Sequence, residues 1–368
     1  MMDALKEETT EVKQPKLSWE LGTAYDLMMS LEVLHKPEDF GLRASWAAGV
    51  RSRVPAAERA VLEDSLNLVY VPLSWVHSLP EPMDAATALW ALRQVPPEKR
   101  LSVLTCSEDP TSEYDQLLAQ VADKRAWDES DLEQLLDIIK AKQGKKGKKR
   151  HAKKEAEIAL NWWSRPDEFG ELYLKALQSY YQEFFAEEER RIKPALQTSI
   201  ERSQELAEKT QLPELIETLS QGVQLFIDPE VTELIFAPSY WITPLILYKS
   251  IAPEQSILLY GARPADDSLV PGEVVPDALL RALKALGEPT RLNIIRYLSQ
   301  EPLSPAQLAR RLRLRPPTVI HHLEVLRLAG LVRLNLEVPG ERNYSARIEG
   351  MDDTFANIKE FLQADLKR

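Results

Sequence analysis

The stretch LSPAQLARRLRLRPPTVIHHLEVLRLAGLVRLNL, residues 303–336, decides the fold of the C-terminal quarter. Ser304 and Gln307 stand at capping-box spacing, where the serine hydroxyl accepts from the Gln307 amide and the glutamine side chain returns to the cap. A short helix therefore starts at Pro305, with Leu308 and Leu312 on its buried face and small Ala309 where a second helix can cross closely. Arg313 to Arg315 form the turn. Pro316 and Pro317 preset the first turn of the second helix, and Gly330 ends it as a left-handed cap. Val319, Leu323 and Leu326 recur at i, i+4 and i+7 and face inward, which turns Thr318 and His321 outward near the N-terminal end. A recognition helix meets base edges with residues so placed.

Downstream, Val332, Leu334 and Leu336 alternate with Arg333, Asn335 and Glu337, as a half-buried strand does. Val338-Pro339-Gly340-Glu341 suits a type II turn. The result is a two-stranded ribbon tipped with Arg342 and Asn343, a wing whose cation reaches phosphate or the adjacent minor groove. Upstream, the residues from Asp277 to Gln300 predict two amphipathic helices broken at Gly287 to Pro289. Leu279, Leu283 and Leu286 form one stripe, and Leu292, Ile295 and Leu298 form the next. Helix, capped helix, turn, proline-started helix and basic hairpin in this order predict a winged helix-turn-helix over 277–350.

The segments LGEPTRLNIIRYL (Leu286 to Leu298), LSPAQLARRL (Leu303 to Leu312) and PTVIHHLEVLRLAGLV (Pro317 to Val332) resemble the ArsR family of bacterial regulators. The resemblance implies a homodimer that places its two recognition helices in successive major grooves and meets through terminal helices. Here those helices would be the one from Asp277 to Leu286, with Leu279 and Leu283, and a C-terminal helix over 351–368, with Met351, Phe355, Ile358 and Leu362 on one face. Metal-sensing members carry cysteines at positions that look like Ser304 and Ala306, so a thiolate metal site is not expected. Arg315 also replaces the small polar cap usual in the family, and operator sequence cannot be carried over.

Charge distribution agrees with a nucleic-acid module. From Arg281 to Arg347 there are 12 Lys/Arg against 5 Asp/Glu, a net +7 inside a chain of net charge −11. A basic block joined to an acidic body fits a DNA-binding domain with a regulatory or partner domain. On this reading Thr318 and His321 face bases, and Arg310, Arg311, Arg313, Arg315 and Arg342 neutralise phosphates, with Asn343 beside them. His322 either touches phosphate or packs beneath the helix. Neighbouring histidines diverge by about 100° on a helix, so His321 and His322 do not share a metal ion.

At 368 residues the whole chain exceeds what one core usually holds and suggests two or three units. Residues 1–16 read as a flexible tail, polar and acidic where a secretory signal would be basic and then apolar. Residues 17–261 read as a mainly helical domain, with helices over 42–54, 56–69, 84–95, 112–124 and 130–141. A basic loop is expected over 140–154, where Gly144 and Gly147 disfavour a rigid helix. From Pro166 to Thr210 a long helical pattern carries Phe169, Tyr173, Tyr180, Tyr181, Phe184 and Phe185, which as core residues account for their spacing, and Pro194 should kink or divide it. The β-prone runs in 223–260 predict a small sheet, and 262–276, rich in proline and glycine, predicts a linker.

The expected fold is thus mainly α, a larger helical domain with a small β element followed by a winged helix-turn-helix with a hairpin wing. No run approaches the roughly 18 apolar residues of a membrane span, and the lone Cys106 fits a reducing compartment, so a cytoplasmic protein without membrane contact is expected. The function this implies is a sequence-specific homodimeric repressor of double-stranded DNA, controlled by a small-molecule or protein effector at the N-terminal domain. No catalytic residues, metal or cofactor are expected, because neither a nucleotide loop nor a nucleophile elbow occurs. An adaptor using the winged helix for protein contact, or an enzyme with a DNA-binding tail, are the alternatives.

Overall fold

The computed structural model describes residues 14–40, 42–105, 112–143, 149–270, 275–336 and 342–363. The architecture is mainly helical, with a large N-terminal body and a C-terminal helix-turn-helix followed by a wing. The body contains α1 (Thr23–His35), α2 (Ala44–Arg51), α3 (Ala56–Ser65), α4 (Leu73–His77), α5 (Ala85–Gln94) and α6 (Pro97–Thr105). It continues through α7 (Glu113–Lys124), α8 (Glu129–Gln143), α9 (Lys149–Trp163), α10 (Pro166–Tyr180), α11 (Ala186–Ala207) and α12 (Leu212–Leu219). Its strands are β1 (Lys16–Trp19), β2 (Val223–Leu225), β3 (Glu233–Ser239), β4 (Ile246–Ala252) and β5 (Gln255–Gly261).

Helix α1 is the centre of the body, with every residue from Thr23 to Leu34 buried. A helix apolar on all sides must be surrounded, and α2, α4, α5 and α11 pack around it. Thr23, Asp26, Ser30 and Glu32 are polar residues buried in this helix, and Asp26 is fully buried. Its carboxylate accepts hydrogen bonds from Ser239 Oγ (2.7 Å), Tyr240 N (3.3 Å) and Trp241 N (2.9 Å), pinning α1 to the end of β3. The aromatic row of α10 fills the core as its spacing implied. Phe169 stacks on Tyr173 at 5.2 Å between centroids, and Tyr180 donates to Ser30 Oγ of α1 at 2.8 Å.

The four-stranded sheet has the order β1-β3-β5-β4, parallel except for β4. Ile235, Ala237, Ile257 and Leu259 point into the main core, and the alternate residues Leu234, Phe236, Leu258 and Tyr260 pack against Leu215 and Ile216 of α12. Burial on both faces explains why β3 and β5 read as continuous apolar runs.

The structure corrects several expectations. The chain is already in the sheet at Lys16, where β1 pairs with β3 more than 200 residues away, so residue 16 does not belong to the flexible tail expected over 1–16. The 223–260 runs do not form one sheet, because β2 leaves it for the wing. Pro194 lies inside continuous α11 on its exposed side, while Ile192, Leu196 and Ile200 hold the opposite face in the core. Water can satisfy the carbonyl that proline leaves unpaired there. The helical irregularity falls instead at Tyr181–Phe185, a π turn. The ends of the basic segment 140–154 are helical, in α8 and α9. The described residues 262–270 of the expected linker are not free. Ala262, Arg263, Ser268 and Leu269 are buried, and Asp277 Oδ2 accepts from Ser268 Oγ (2.8 Å) and Leu269 N (3.0 Å).

Residues 1–13, Cys106, Gly144 and Gly147, the stretch 271–274 within the expected linker, the wing turn at 337–341 and the last five residues lie outside the described residues. Among the described residues no helix is long and apolar enough to cross a membrane.

Burial raises the Asp26 carboxyl to about 7 against its three donors, with Glu188 adding to the rise. The folded protein therefore holds a proton that the unfolded chain releases near the ordinary carboxyl value of 3.8. That contribution to stability is complete below the unfolded value and is lost as pH rises through 7. Thermal melts from pH 4 to 8 should show Asp26→Asn with a flatter stability profile than the wild type between the two values; parallel profiles would contradict a protonated Asp26.

Candidate nucleic-acid interface

The C-terminal module contains α13 (Asp277–Leu286), α14 (Pro289–Leu298), α15 (Pro305–Leu312), α16 (Pro316–Leu328), β6 (Val332–Leu336), β7 (Asn343–Ala346) and α17 (Ile348–Gln363). Its core joins Ile294, Ile295 and Leu298 of α14 to Leu308, Val319, Leu323, Leu326 and Val332. Leu292, expected in that stripe, is exposed, and Ile294 takes the inward position because α14 begins at Pro289 and turns its buried face accordingly.

Both halves of the capping box form. Gln307 N donates to Ser304 Oγ at 3.4 Å, and Gln307 Oε1 accepts from Ser304 N at 2.8 Å. Helix α15 ends with Arg313 in the left-handed region at φ 56°, and Leu314 N donates to Ala309 O at 3.0 Å. That bond satisfies a carbonyl at the helix end and holds the tight turn despite a side chain at a position that favours glycine. Arg315 is the N-cap of α16 and makes no side-chain cap; the helix needs none, because Pro316 and Pro317 carry no amide hydrogen and the amides of Thr318 (3.0 Å) and Val319 (3.2 Å) donate to Arg315 O.

On α16, Thr318, Ile320, His321 and Glu324 are exposed, and no described part of the body covers them. Ile320 and Glu324 had no role assigned from sequence, although the inward stripe of Val319, Leu323 and Leu326 already implies their side by the helical period. His322 lies on the other side, with Nδ1 3.8 Å from Glu288 Oε2. Burial pushes its imidazole pKa down although Glu288 pulls it up, so neutral His322 belongs beneath the helix.

The arginines divide into two sets. Arg310, Arg313, Arg315 and Arg342 are exposed around α15, the turn and the wing. Arg311 is also at the surface but pairs with Glu301 at 2.6 Å and lies over Tyr297. Arg291 donates to the Ala285 and Lys284 carbonyls, both at 2.7 Å, and closes the end of α13. Arg327 and Arg333 turn toward the body: Arg327 Nη2 donates to Ser220 O at 2.7 Å, and Arg333 Nε to Glu217 Oε1 at 2.5 Å.

The wing hairpin pairs Val332 with Ala346, Leu334 with Tyr344 and Asn335 with Asn343, and Tyr344 also bridges to Leu303. Asn343 is therefore half-buried beside Asn335 and sits less freely than Arg342. The outer edge of β6 carries β2 of the body in parallel, Val223 opposite Leu334 and Leu225 opposite Leu336. Residues 288–333 match the model of the family described as bacterial regulatory protein, arsR family. The C-terminal module is an ArsR-type helix-turn-helix. No curated protein and no solved structure matches the chain.

In the ArsR-type module, α13 and α17 pack on each other. Leu279 is buried within the chain, and Met351 packs on the module core, so neither is available to a partner as expected from the sequence. Ile358 is half-buried. Leu283 (42% exposed), Phe355 (56%) and Leu362 (75%) remain outward. Ile348, which precedes the helix start expected at 351, extends this row at seven-residue spacing from Phe355.

The base of α17 rests on the α16–β6 turn with no room for a side chain: a Cβ on Gly350 would stand 2.1 Å from Gly330 O. Gly350→Ala should lower stability by about 1–3 kcal/mol in urea unfolding, since a backbone atom must move to relieve the overlap. Wild-type stability would mean that α17 is not seated on this turn.

Proposed function

We propose that this protein is a sequence-specific transcription regulator that binds double-stranded DNA as a homodimer and acts as a repressor under the control of its N-terminal body. The single observation that carries the reading is the uncovered outward edge of α16, Thr318, Ile320 and His321, framed by the exposed cations Arg310, Arg313, Arg315 and Arg342. Thr318 and His321 can exchange hydrogen bonds with base edges, and Ile320 offers an apolar contact to a thymine methyl. The cations supply the salt-dependent part of the affinity through counterion release. Arg311 contributes less, because Glu301 already holds it.

The apolar row Ile348, Phe355 and Leu362, with Leu283 on the helix that α17 packs against, supports dimerisation through the terminal helices. Exposed apolar side chains in such a row need cover. Ser304 and Ala306 leave no thiolates where metal-sensing members carry them, so control passes through the body and not through a cysteine metal site. The protein is not an enzyme on this reading, and it works in the cytoplasm.

DNA binding is tested by fluorescence anisotropy on fragments from upstream of the protein's own gene, across a salt series. Replacing Arg313 and Arg315 with alanine should reduce the slope of log K against log salt by about 0.9 for each phosphate that is no longer neutralised. An unchanged slope would remove both from the interface, and no binding beyond that to unrelated DNA would overturn the regulator reading.

Phe355→Glu combined with Leu362→Glu should convert a dimer to a monomer in sedimentation and weaken operator binding at least tenfold. A dimer that survives both changes would place the contact elsewhere.

A further inference from the structure

The helical body and the ArsR-type module border a partly open cavity of about 410 Å3 between them. The segment after β3, the residues following β5, α13, the end of α16 and α17 all contribute to its wall. Pro244, Leu279, Ala282 and Leu328 make part of that wall apolar. Three arginines reach it: Arg263, Arg281 and Arg347.

Arg347 is occupied, with Nη1 donating to Gly330 O at 3.1 Å and Nη2 lying 3.5 Å from Asp353. The other two are not fully used. Arg263 is 7% exposed; its Nη2 donates to Thr243 O at 2.9 Å, but Nη1 is buried without an acceptor among the described residues. On Arg281 both Nε and Nη1 are buried without an acceptor among the described residues. Burial draws the Arg281 pKa down to about 10, and the charge of Arg263 adds to the effect. Leaving guanidinium donors dry and unpaired is costly, and the cost is recovered only when a partner supplies the acceptors.

We propose that this junction cavity binds a small organic anion, a carboxylate or a phosphate monoester with a modest apolar body, through Arg281 and Arg263. The guanidinium fork matches either head group with paired hydrogen bonds. The volume lies within the range of small-molecule sites, roughly 300–1,000 Å3. The two acids in the wall already have partners: Asp267 accepts from Tyr240 Oη at 2.5 Å, and Asp353 faces Arg347. Three arginines against two aspartates leave the lining at net +1, which suits one singly or doubly charged head group better than a polyphosphate.

The same wall joins the body to α13 and α17, so an anion held there ties the body to the helices that carry the exposed apolar row. Only this coupling rests on the regulator reading; the binding site itself does not.

The test uses the full chain, thermal melts and calorimetric titration, with sodium benzoate, phenyl phosphate and inorganic phosphate as probes at constant ionic strength set by chloride. Benzoate or phenyl phosphate should raise the melting temperature saturably and bind at least tenfold tighter than inorganic phosphate, and the stronger of the two names the head group. Arg281→Met should melt at or above the ligand-free wild type, since it removes a dry unpaired charge, and should bind the preferred probe at least tenfold more weakly. Arg281→Lys keeps the charge without the fork and should fall between. No saturable response to any probe, an undiminished response in Arg281→Met, or an Arg281→Met protein that melts below the wild type would each overturn the site. A site that binds the probe in a protein without specific DNA affinity would count against the regulator reading alone.

Discussion

The parallel pairing of β2 with β6 is the interaction on which the arrangement of this molecule depends. A two-stranded wing leaves the outer edge of its first strand with unpaired amides and carbonyls, which attract any other strand. The body fills that edge from its own chain: Leu334 N donates to Gly222 O at 2.8 Å, and Asn335 Nδ2 donates to Gln224 Oε1 at 3.1 Å. Gly222 has φ +104°, with the Arg333 and Arg347 side chains lying over it, so the approach needs a residue without Cβ at that point. Arg333 to Glu217 and Arg327 to Ser220 O reinforce the same contact. The wing is thereby part of a sheet whose outermost strand follows directly from α12, and α12 packs beneath the four-stranded sheet of the body.

That connection determines which charges face outward. Arg327, Arg333 and Arg347, which turn away from the α16 edge, are held by Glu217, Glu349, Asp353 and backbone carbonyls. Those on the opposite side, at the end of α15, in the turn and at the base of the wing, stay exposed. A single strand-pairing event thus orients a basic block within an acidic chain. The electrostatic field at α16 comes from fewer cations than the sequence count, but they lie together and next to the helix edge that is open.

The second contact between the two parts is made by the packed residues 262–270 and by Asp277, whose carboxylate receives Ser268 and Leu269. Between this contact and the strand pairing lies the arginine-lined cavity. Its wall includes the terminal helices of the module, so the energetics of the body, of the cavity and of the exposed apolar row are not independent. The stripe of α17 serves two purposes at once: Gly350 and Thr354 seat it, while Ile348, Phe355 and Leu362 stay exposed.

The sequence by itself determined what is local and periodic. The Ser304–Gln307 box, the proline start of α16, the inward triplet Val319, Leu323 and Leu326, and the wing alternation all act within a few residues, so their physics is complete in a short window. The aromatic row of α10 was legible as core for the same reason. Tertiary structure alone decided what depends on partners far along the chain. The short strand β1 carries no periodicity of its own and exists because β3 presents an open edge, and β2, legible as β-prone, joins the wing because β6 presents one. Leu279 and Met351 look like partner-seeking residues until the body and the module core cover them. The unpaired donors of Arg263 and Arg281 could not be read at all, because whether a buried cation finds an acceptor is a property of the three-dimensional packing and not of its neighbours in the chain.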